Sequence, residues 1–222
     1  MIADETVLPS DEKKFYSEKI LYLPRCYYAI DTRIPEHPPV TRKQVNLPEH
    51  AMVYVCFCSH YKVEPVVFRC WMKILANVPG SVLWSLGKVD FIKKNLRQAA
   101  ESLGIGPSRL IFATGKPKAY HLARHRCADL ALDTFIYNAH TTAVDALKME
   151  VPILTLKGER WVTRVTESLL HDLDLLELVA QDEQDYINKA IRYGQSKMQL
   201  NQLKKKKKKK IATSPLFDIK HF

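Results

Sequence analysis

From Ala51 onward, short runs apolar along their whole length alternate with stretches in which apolar residues recur every three or four positions. Each run with its following stretch takes about 25 to 30 residues, the length of a βα unit. The runs predict strands at Met52 to Cys58, Val82 to Leu86, Leu110 to Ala113, Ala128 to Leu132 and Pro152 to Leu156. The intervening periodicity predicts helices at Pro65 to Ala76, Phe91 to Leu103, Lys118 to His125, Thr141 to Met149 and Trp161 to Leu170. Pro79-Gly80 marks a turn, and Gly104 and Gly106 punctuate the end of the second helix. Strands with no polar face belong in a parallel sheet covered on both sides. The fold class is α/β, a Rossmann-like parallel sheet with helices on both faces.

Residues 1–46 read differently. They are polar, and Pro24, Pro35, Pro38 and Pro39 exclude a long helix after Leu23, which leaves a connecting arm with one short helix at Asp11 to Leu21. At the other end a helix is expected over Asp182 to Leu203, presenting Tyr186, Ile187, Ala190, Ile191 and Tyr193 to the sheet. The expected organisation is an arm (1–46), a ligand-binding lobe (47–203), and a basic run with a C-terminal tail (204–222). No internal repeat is visible.

The 222 residues are 46% hydrophobic, enough for a substantial core. No apolar run approaches the roughly 20 residues that span a bilayer, and the start near Asp4, Glu5, Asp11 and Glu12 lacks a signal-peptide h-region. A cytoplasmic protein with no membrane partner is expected. Cys26, Cys56, Cys58, Cys70 and Cys127 include no CxxC pair and read as reduced core thiols. The net charge is +10, but Lys204–Lys210 supply seven of those charges, which leaves +3 elsewhere. Adjacent like charges repel, so this run is expected to be a solvated tail. No aromatic residues interleave with it to stack bases, which argues against a nucleic-acid partner.

In a doubly wound sheet ligands sit at the carboxyl ends of the strands. The unusual residues fall there: Ser59-His60-Tyr61-Lys62 after the first strand, Thr114-Gly115-Lys116-Pro117-Lys118 leading to His121 and Arg124 after the third, and His140-Thr141-Thr142 after the fourth. The last opens a helix, where unpaired N–H groups and the positive dipole end bind phosphate. Thr there also serves as an ordinary N-cap. The convergence of Lys62, Lys118 and Arg124 on the same sheet edge favours a polyanion, with a nucleotide as the natural candidate. GxGxxG and GxxxxGK[ST] are both absent, which argues against a dinucleotide or P-loop site. His121 and His125 share a helix face, but no Glu follows the first as a zinc protease requires, and Ser59 lacks the glycines of a nucleophile elbow. No metal site is expected.

Several segments resemble one family. Phe57-Cys58-Ser59-His60-Tyr61-Lys62-Val63-Glu64-Pro65, Pro79-Gly80-Ser81-Val82-Leu83-Trp84, Arg109-Leu110-Ile111-Phe112, Ala128-Asp129-Leu130-Ala131-Leu132-Asp133-Thr134 and Asn138-Ala139-His140-Thr141-Thr142 are similar to the C-terminal catalytic lobe of the protein O-GlcNAc transferases, glycosyltransferase family 41. Tyr16-Ser17-Glu18-Lys19-Ile20-Leu21-Tyr22-Leu23-Pro24 resembles the stretch entering that lobe, and Ser214-Pro215-Leu216-Phe217-Asp218 resembles its tail.

The resemblance implies the UDP-sugar-binding lobe of a GT-B enzyme that moves GlcNAc from UDP-GlcNAc to Ser or Thr of acceptor proteins, with inversion and without a metal or other cofactor. Carried over by position, Lys62 neutralises the departing diphosphate and His140, Thr141 and Thr142 bind its oxygens. Lys118 and Asp145 contact the ribose, His121 and Arg124 hold the uracil, and Tyr61 lies near the sugar. Gly115 and Lys116 complete the nucleotide loop. Ser59 stands where the family usually has Gln, a shorter side chain that reaches phosphate through water. The family's N-terminal lobe and tetratricopeptide repeats have no counterpart in this sequence, so an incomplete enzyme is expected. Two alternatives are a non-catalytic UDP-sugar-binding module and a binder of anionic surfaces or nucleic acid through Lys204–Lys210.

Overall fold

The computed structural model describes residues 1–31, 33–87 and 89–217. In the arm, β1 (Ile2–Ala3) and β2 (Leu21–Tyr22) pair in parallel. The main sheet contains β3 (Val53–Cys56), β4 (Val82–Leu86), β5 (Leu110–Ala113), β6 (Leu130–Leu132), β7 (Ile153–Leu156) and β8 (Val179–Ala180). Its order is β5-β4-β3-β6-β7-β8 and every pairing is parallel. The order reverses between β3 and β6, so the crevice at their carboxyl ends is the topological switch point of a Rossmann-type sheet. All residues of β3 and β6 are buried, and because successive side chains alternate, both sheet faces are covered.

Among the described residues seven α-helices connect and follow the strands: α1 (Pro65–Asn77), α2 (Asp90–Ser102), α3 (Lys118–His125), α4 (Thr141–Lys148), α5 (Val165–Asp172), α6 (Glu183–Gln195) and α7 (Lys197–Thr213). Pro65 in the first turn and the Glu64 carboxylate, which accepts from Val66 and Val67 N–H, start α1 immediately after the Lys62 loop. Trp71, Trp84, Tyr54 and Tyr186 are the largest core side chains. Three of them have partners for their polar atoms: Tyr54 Oη donates to the Ala190 carbonyl (2.8 Å), and Trp71 Nε1 donates to Tyr186 Oη (3.2 Å), which donates to the Asp133 carbonyl (3.1 Å), whereas Trp84 Nε1 is buried without one. A Cβ at Gly194 would collide with the Tyr54 hydroxyl, so α6 can approach the sheet only with glycine there. All five cysteines are buried free thiols.

The C-terminal segment departs from expectation. Ser196 breaks the expected single helix, leaving an extended residue that caps α7 through its hydroxyl. The helix then continues through the lysines, so a boundary at 203/204 would fall inside it. Leu200, Leu203 and Lys207, at spacings of three and four, form one buried stripe. Lys204, Lys206, Lys208 and Lys210 pair with Asp129 (3.0 Å), Glu177 (2.6 Å), Glu150 (3.6 Å) and Asp174 (2.5 Å). The mutual repulsion that favours a solvated tail is thus offset by carboxylates from the lobe. Asp218, in the family-like tail segment, lies outside the described residues.

The arm is also more ordered than its prolines suggest. Arg42 donates to Asp129 Oδ2 (2.7 Å) and to the Cys127 and Ala51 carbonyls, while Arg25 pairs with Asp172 (2.6 Å). The expected helix at Asp11 to Leu21 shortens to a 3-10 turn at Ser10–Phe15, and that at Trp161 to Leu170 divides into a 3-10 turn (Trp161–Thr163) and α5.

Candidate functional site

Asp133, at the end of β6, organises the crevice. Its carboxylate is fully buried and accepts from the N–H groups of Thr134 (2.8 Å) and Ala139 (2.6 Å) and from Thr155 Oγ1 (2.8 Å). Burial raises its pKa to about 6 even though these donors pull the other way. The contacts fold residues 134–140 back into a loop that delivers His140 to the start of α4. No side chain caps that helix: the hydroxyl of Thr141 hydrogen-bonds Tyr28 Oη (2.9 Å), and that of Thr142 meets Cys58 Sγ (3.5 Å). The helix start therefore lacks the ordinary Thr cap and remains a suitable anion site.

Lys62 reaches across the switch point from the turn after β3. It is 8% exposed, donates to the Asn138 carbonyl (2.8 Å), and places Nζ 3.8 Å from the centroid of the Tyr137 ring. Among the described residues no carboxylate lies within ion-pair distance of it. Burial lowers its pKa, while Cys58 and Asp133 oppose the shift. His140 stacks on Tyr137 (4.9 Å between centroids, 25° between planes). Its pKa is lowered by burial and then by the Lys62 charge, and its Nε2 is buried without a partner.

On the other flank, Lys118 and Asp145 bind each other across α3 and α4 through both carboxylate oxygens (2.7 and 2.6 Å). Arg124 is buried against the faces of Phe57 (4.8 Å) and Trp84 (5.9 Å), donates to the Thr114 carbonyl (2.7 Å), and contacts His121 Nδ1 (2.7 Å). His121 also packs on Phe57 and on His125, whose pKa burial lowers to about 4. Gly115 and Lys116 lie in the exposed loop, with Lys116 Nζ over the Tyr120 ring (5.5 Å). A polar cavity of about 260 Å³ opens here, lined by Trp84, Thr114, Lys116, Tyr120 and Arg124. Ser59 is exposed just before the Lys62 turn, and Tyr61 is 76% exposed with its ring edge toward Tyr137.

The named residues therefore fall at the ends of β3, β5 and β6, but their charges are not equivalent. Asp145 neutralises Lys118, whereas among the described residues neither Arg124 nor Lys62 has a carboxylate partner; of these two, Lys62 shares the Tyr137 ring with His140 at the start of α4. Sequence reasoning assigned no role to Asp133, Tyr137, Tyr28 or the Asn138 carbonyl. An acidic residue closing an otherwise apolar strand was the available signal for Asp133. Nothing local marked Tyr28, whose contact with Thr141 spans 113 positions.

The sequence profile described as Glycosyl transferase family 41 matches residues 29–222. A Caenorhabditis elegans protein named "UDP-N-acetylglucosamine--peptide N-acetylglucosaminyltransferase" is 36% identical over 182 residues, covering 82% of this chain and 16% of its own length. The Arabidopsis thaliana protein named "Probable UDP-N-acetylglucosamine--peptide N-acetylglucosaminyltransferase SEC" is 33% identical, covering 98% of this chain and 23% of its own. A solved mutant of the Thermobaculum terrenum O-GlcNAc transferase superposes with a TM-score of 0.84 at 26% identity, over 98% of this chain and 42% of that one. A sucrose-phosphate synthase from Thermosynechococcus elongatus shares the fold at 14% identity and a TM-score of 0.68. The chain spans about a quarter or less of the length of these curated relatives.

Proposed function

The chain belongs to glycosyltransferase family 41, and from that premise we propose that it forms the UDP-sugar-binding lobe of a cytoplasmic protein O-GlcNAc transferase. The observation that carries this reading is Lys62, a buried cation without a counter-anion beside an uncapped helix N-terminus. Such an arrangement suits an anion that arrives from solution and gains charge as a bond breaks. As the acceptor hydroxyl oxygen bonds to the anomeric carbon and loses its proton to solvent, the bond from that carbon to the β-phosphate oxygen breaks and its electron pair leaves with UDP. The Lys62 ammonium and the N–H groups of the α4 first turn then stabilise the added charge, with the Thr141 and Thr142 hydroxyls as further donors. A neutral His140 turns Nε2 toward the same oxygens. Lys118 and Asp145 take the ribose hydroxyls, and Arg124 and His121 frame the uracil beside the Thr114–Lys116 loop. Ser59 reaches the phosphates through water, and Tyr61 stands open toward the sugar.

Intact Lys62 favours an active donor lobe over a non-catalytic binding module. The lysine run supports an anionic-surface binder poorly, because four of its cations are paired and Lys207 is buried. Titration calorimetry with UDP and uridine tests the reading. UDP should bind more tightly than uridine, and Lys62→Ala should remove most of that advantage, about 1.5–3 kcal/mol for a charge-assisted contact. Equal affinity for both ligands in the unmutated chain would exclude the diphosphate site.

A further inference from the structure

Tyr137 contacts two of the groups assigned to the diphosphate, Lys62 and His140, although it lies in neither the Lys62 turn nor α4. Its ring faces Lys62 Nζ at 3.8 Å and stacks with the His140 imidazole at 4.9 Å. The backbone beneath it is fixed on both sides. Thr134 Oγ1 donates to the Tyr137 carbonyl (2.7 Å), and Asn138 N–H donates to the Val162 carbonyl (3.0 Å) while its amide Nδ2 donates to the Thr134 carbonyl (2.8 Å). The Asn138 carbonyl that accepts from Lys62 belongs to the same loop.

A buried ammonium needs compensation, and the choice of partner has consequences. A carboxylate against Nζ would compete with phosphate for the ammonium and repel the incoming anion. An aromatic face attracts the cation through its quadrupole yet carries no formal charge. Paired with one carbonyl, it fixes Nζ while leaving the ammonium's other donors available.

We propose that Tyr137 is a positioning residue for the donor diphosphate, its ring holding the Lys62 ammonium and the His140 imidazole in place. This rests on the UDP-binding reading above. The ring is the working part, so Tyr137→Phe preserves the function, whereas Tyr137→Leu keeps an apolar side chain but removes the π face.

The test is calorimetry of the folded 222-residue chain and these variants with UDP and uridine. Tyr137→Leu should weaken UDP binding by about fivefold to tenfold, between the exposed and the fully desolvated limits of a cation–π contact. Uridine affinity should hold within a factor of about two, the scale of a 0.4 kcal/mol change, and Tyr137→Phe should restore UDP binding. Equal UDP affinity for the Leu variant and the unmutated chain would overturn the assignment, as would a parallel loss of uridine, which would indicate general packing. An unmutated chain that does not distinguish UDP from uridine would overturn the diphosphate site itself and this role with it. A ratio of UDP to uridine affinity left unchanged by Tyr137→Leu would overturn only the role of the ring.

Discussion

Lys118 Nζ lies within 2.7 Å of both carboxylate oxygens of Asp145, closing a bidentate clamp between α3 and α4. Although both residues face the candidate nucleotide, the clamp carries no net charge. On the proposed reading, attraction for phosphate therefore falls to Lys62, and the Lys118 flank contributes hydrogen bonds.

The two lysines should accordingly separate by ligand. Lys118→Ala is expected to weaken UDP and uridine alike by about fivefold, the value of roughly one hydrogen bond at a half-exposed position. Lys62→Ala should affect UDP alone. If calorimetry finds the Lys118→Ala loss only with UDP, then Lys118 leaves Asp145 to bind phosphate.

Asp133 gives a stability prediction with a defined sign. Its carboxyl titrates near 6 when folded and near 3.8 otherwise, so the folded state binds the extra proton. Its contribution is fully present below pH 3.8 and is lost as pH rises through 6. Asp133→Asn keeps an oxygen for the Thr134 and Ala139 N–H groups and lacks this titration. The stability of the unmutated chain relative to Asp133→Asn should fall between pH 4 and 6.5 in urea unfolding. Asp133→Ala leaves those N–H groups unpaired and should cost about 2–4 kcal/mol.

Much of the framework was legible because one physical pattern dominates it. The strands β4 and β5 and the helix α3 fall on their predicted boundaries, since fully buried strands and a helix flanked by Pro117 have few alternatives. The two-residue β8 was missed, being too short to show a period. The site was legible as a set of loops and not as a charge distribution. Asp145's neutralisation of Lys118 is set by packing between helices, and Tyr137 reads in sequence as an ordinary loop aromatic. The lysine run failed as an expectation because its partners, Asp129, Glu150, Asp174 and Glu177, are scattered along the chain.

Lys207 yields a second pH effect, of different origin. Burial lowers its pKa from 10.5 to about 7, so between those values the unfolded chain holds a proton that the folded chain has released. Stability supplied by this residue therefore rises with pH across that window. Lys207→Met removes the buried charge and should stabilise the chain at pH 7 by about 1–4 kcal/mol. The advantage should shrink toward pH 10 when the two proteins are unfolded in parallel; a constant difference would refute the buried-charge account.

Transfer itself is expected to need more than these residues. An inverting reaction requires the acceptor hydroxyl opposite the leaving diphosphate, in a site that excludes water. Tyr61 is three-quarters exposed and the Thr114–Lys118 loop is open to solvent. The chain alone should therefore show only background transfer from UDP-GlcNAc to acceptor peptides, measured with labelled donor, and gain activity when an N-terminal lobe of the family is supplied. Robust glycosylation by the chain alone, abolished by Lys62→Ala, would place the acceptor site within the arm.

The lysine helix touches α4 at the end remote from the crevice: Lys207 Nζ lies 3.5 Å from the Leu147 carbonyl, and Lys208 reaches Glu150 just beyond. An eight-residue helix is about 12 Å long and presents negative partial charge at that end. Cations at its negative pole and the proposed anion site at its positive pole make α4 a short electrical axis loaded at both ends. A protease cut or an alternative splice junction within 204–210 would thus strip the counter-charge and a wall of the core together, and its effect would reach the phosphate end without altering any residue there.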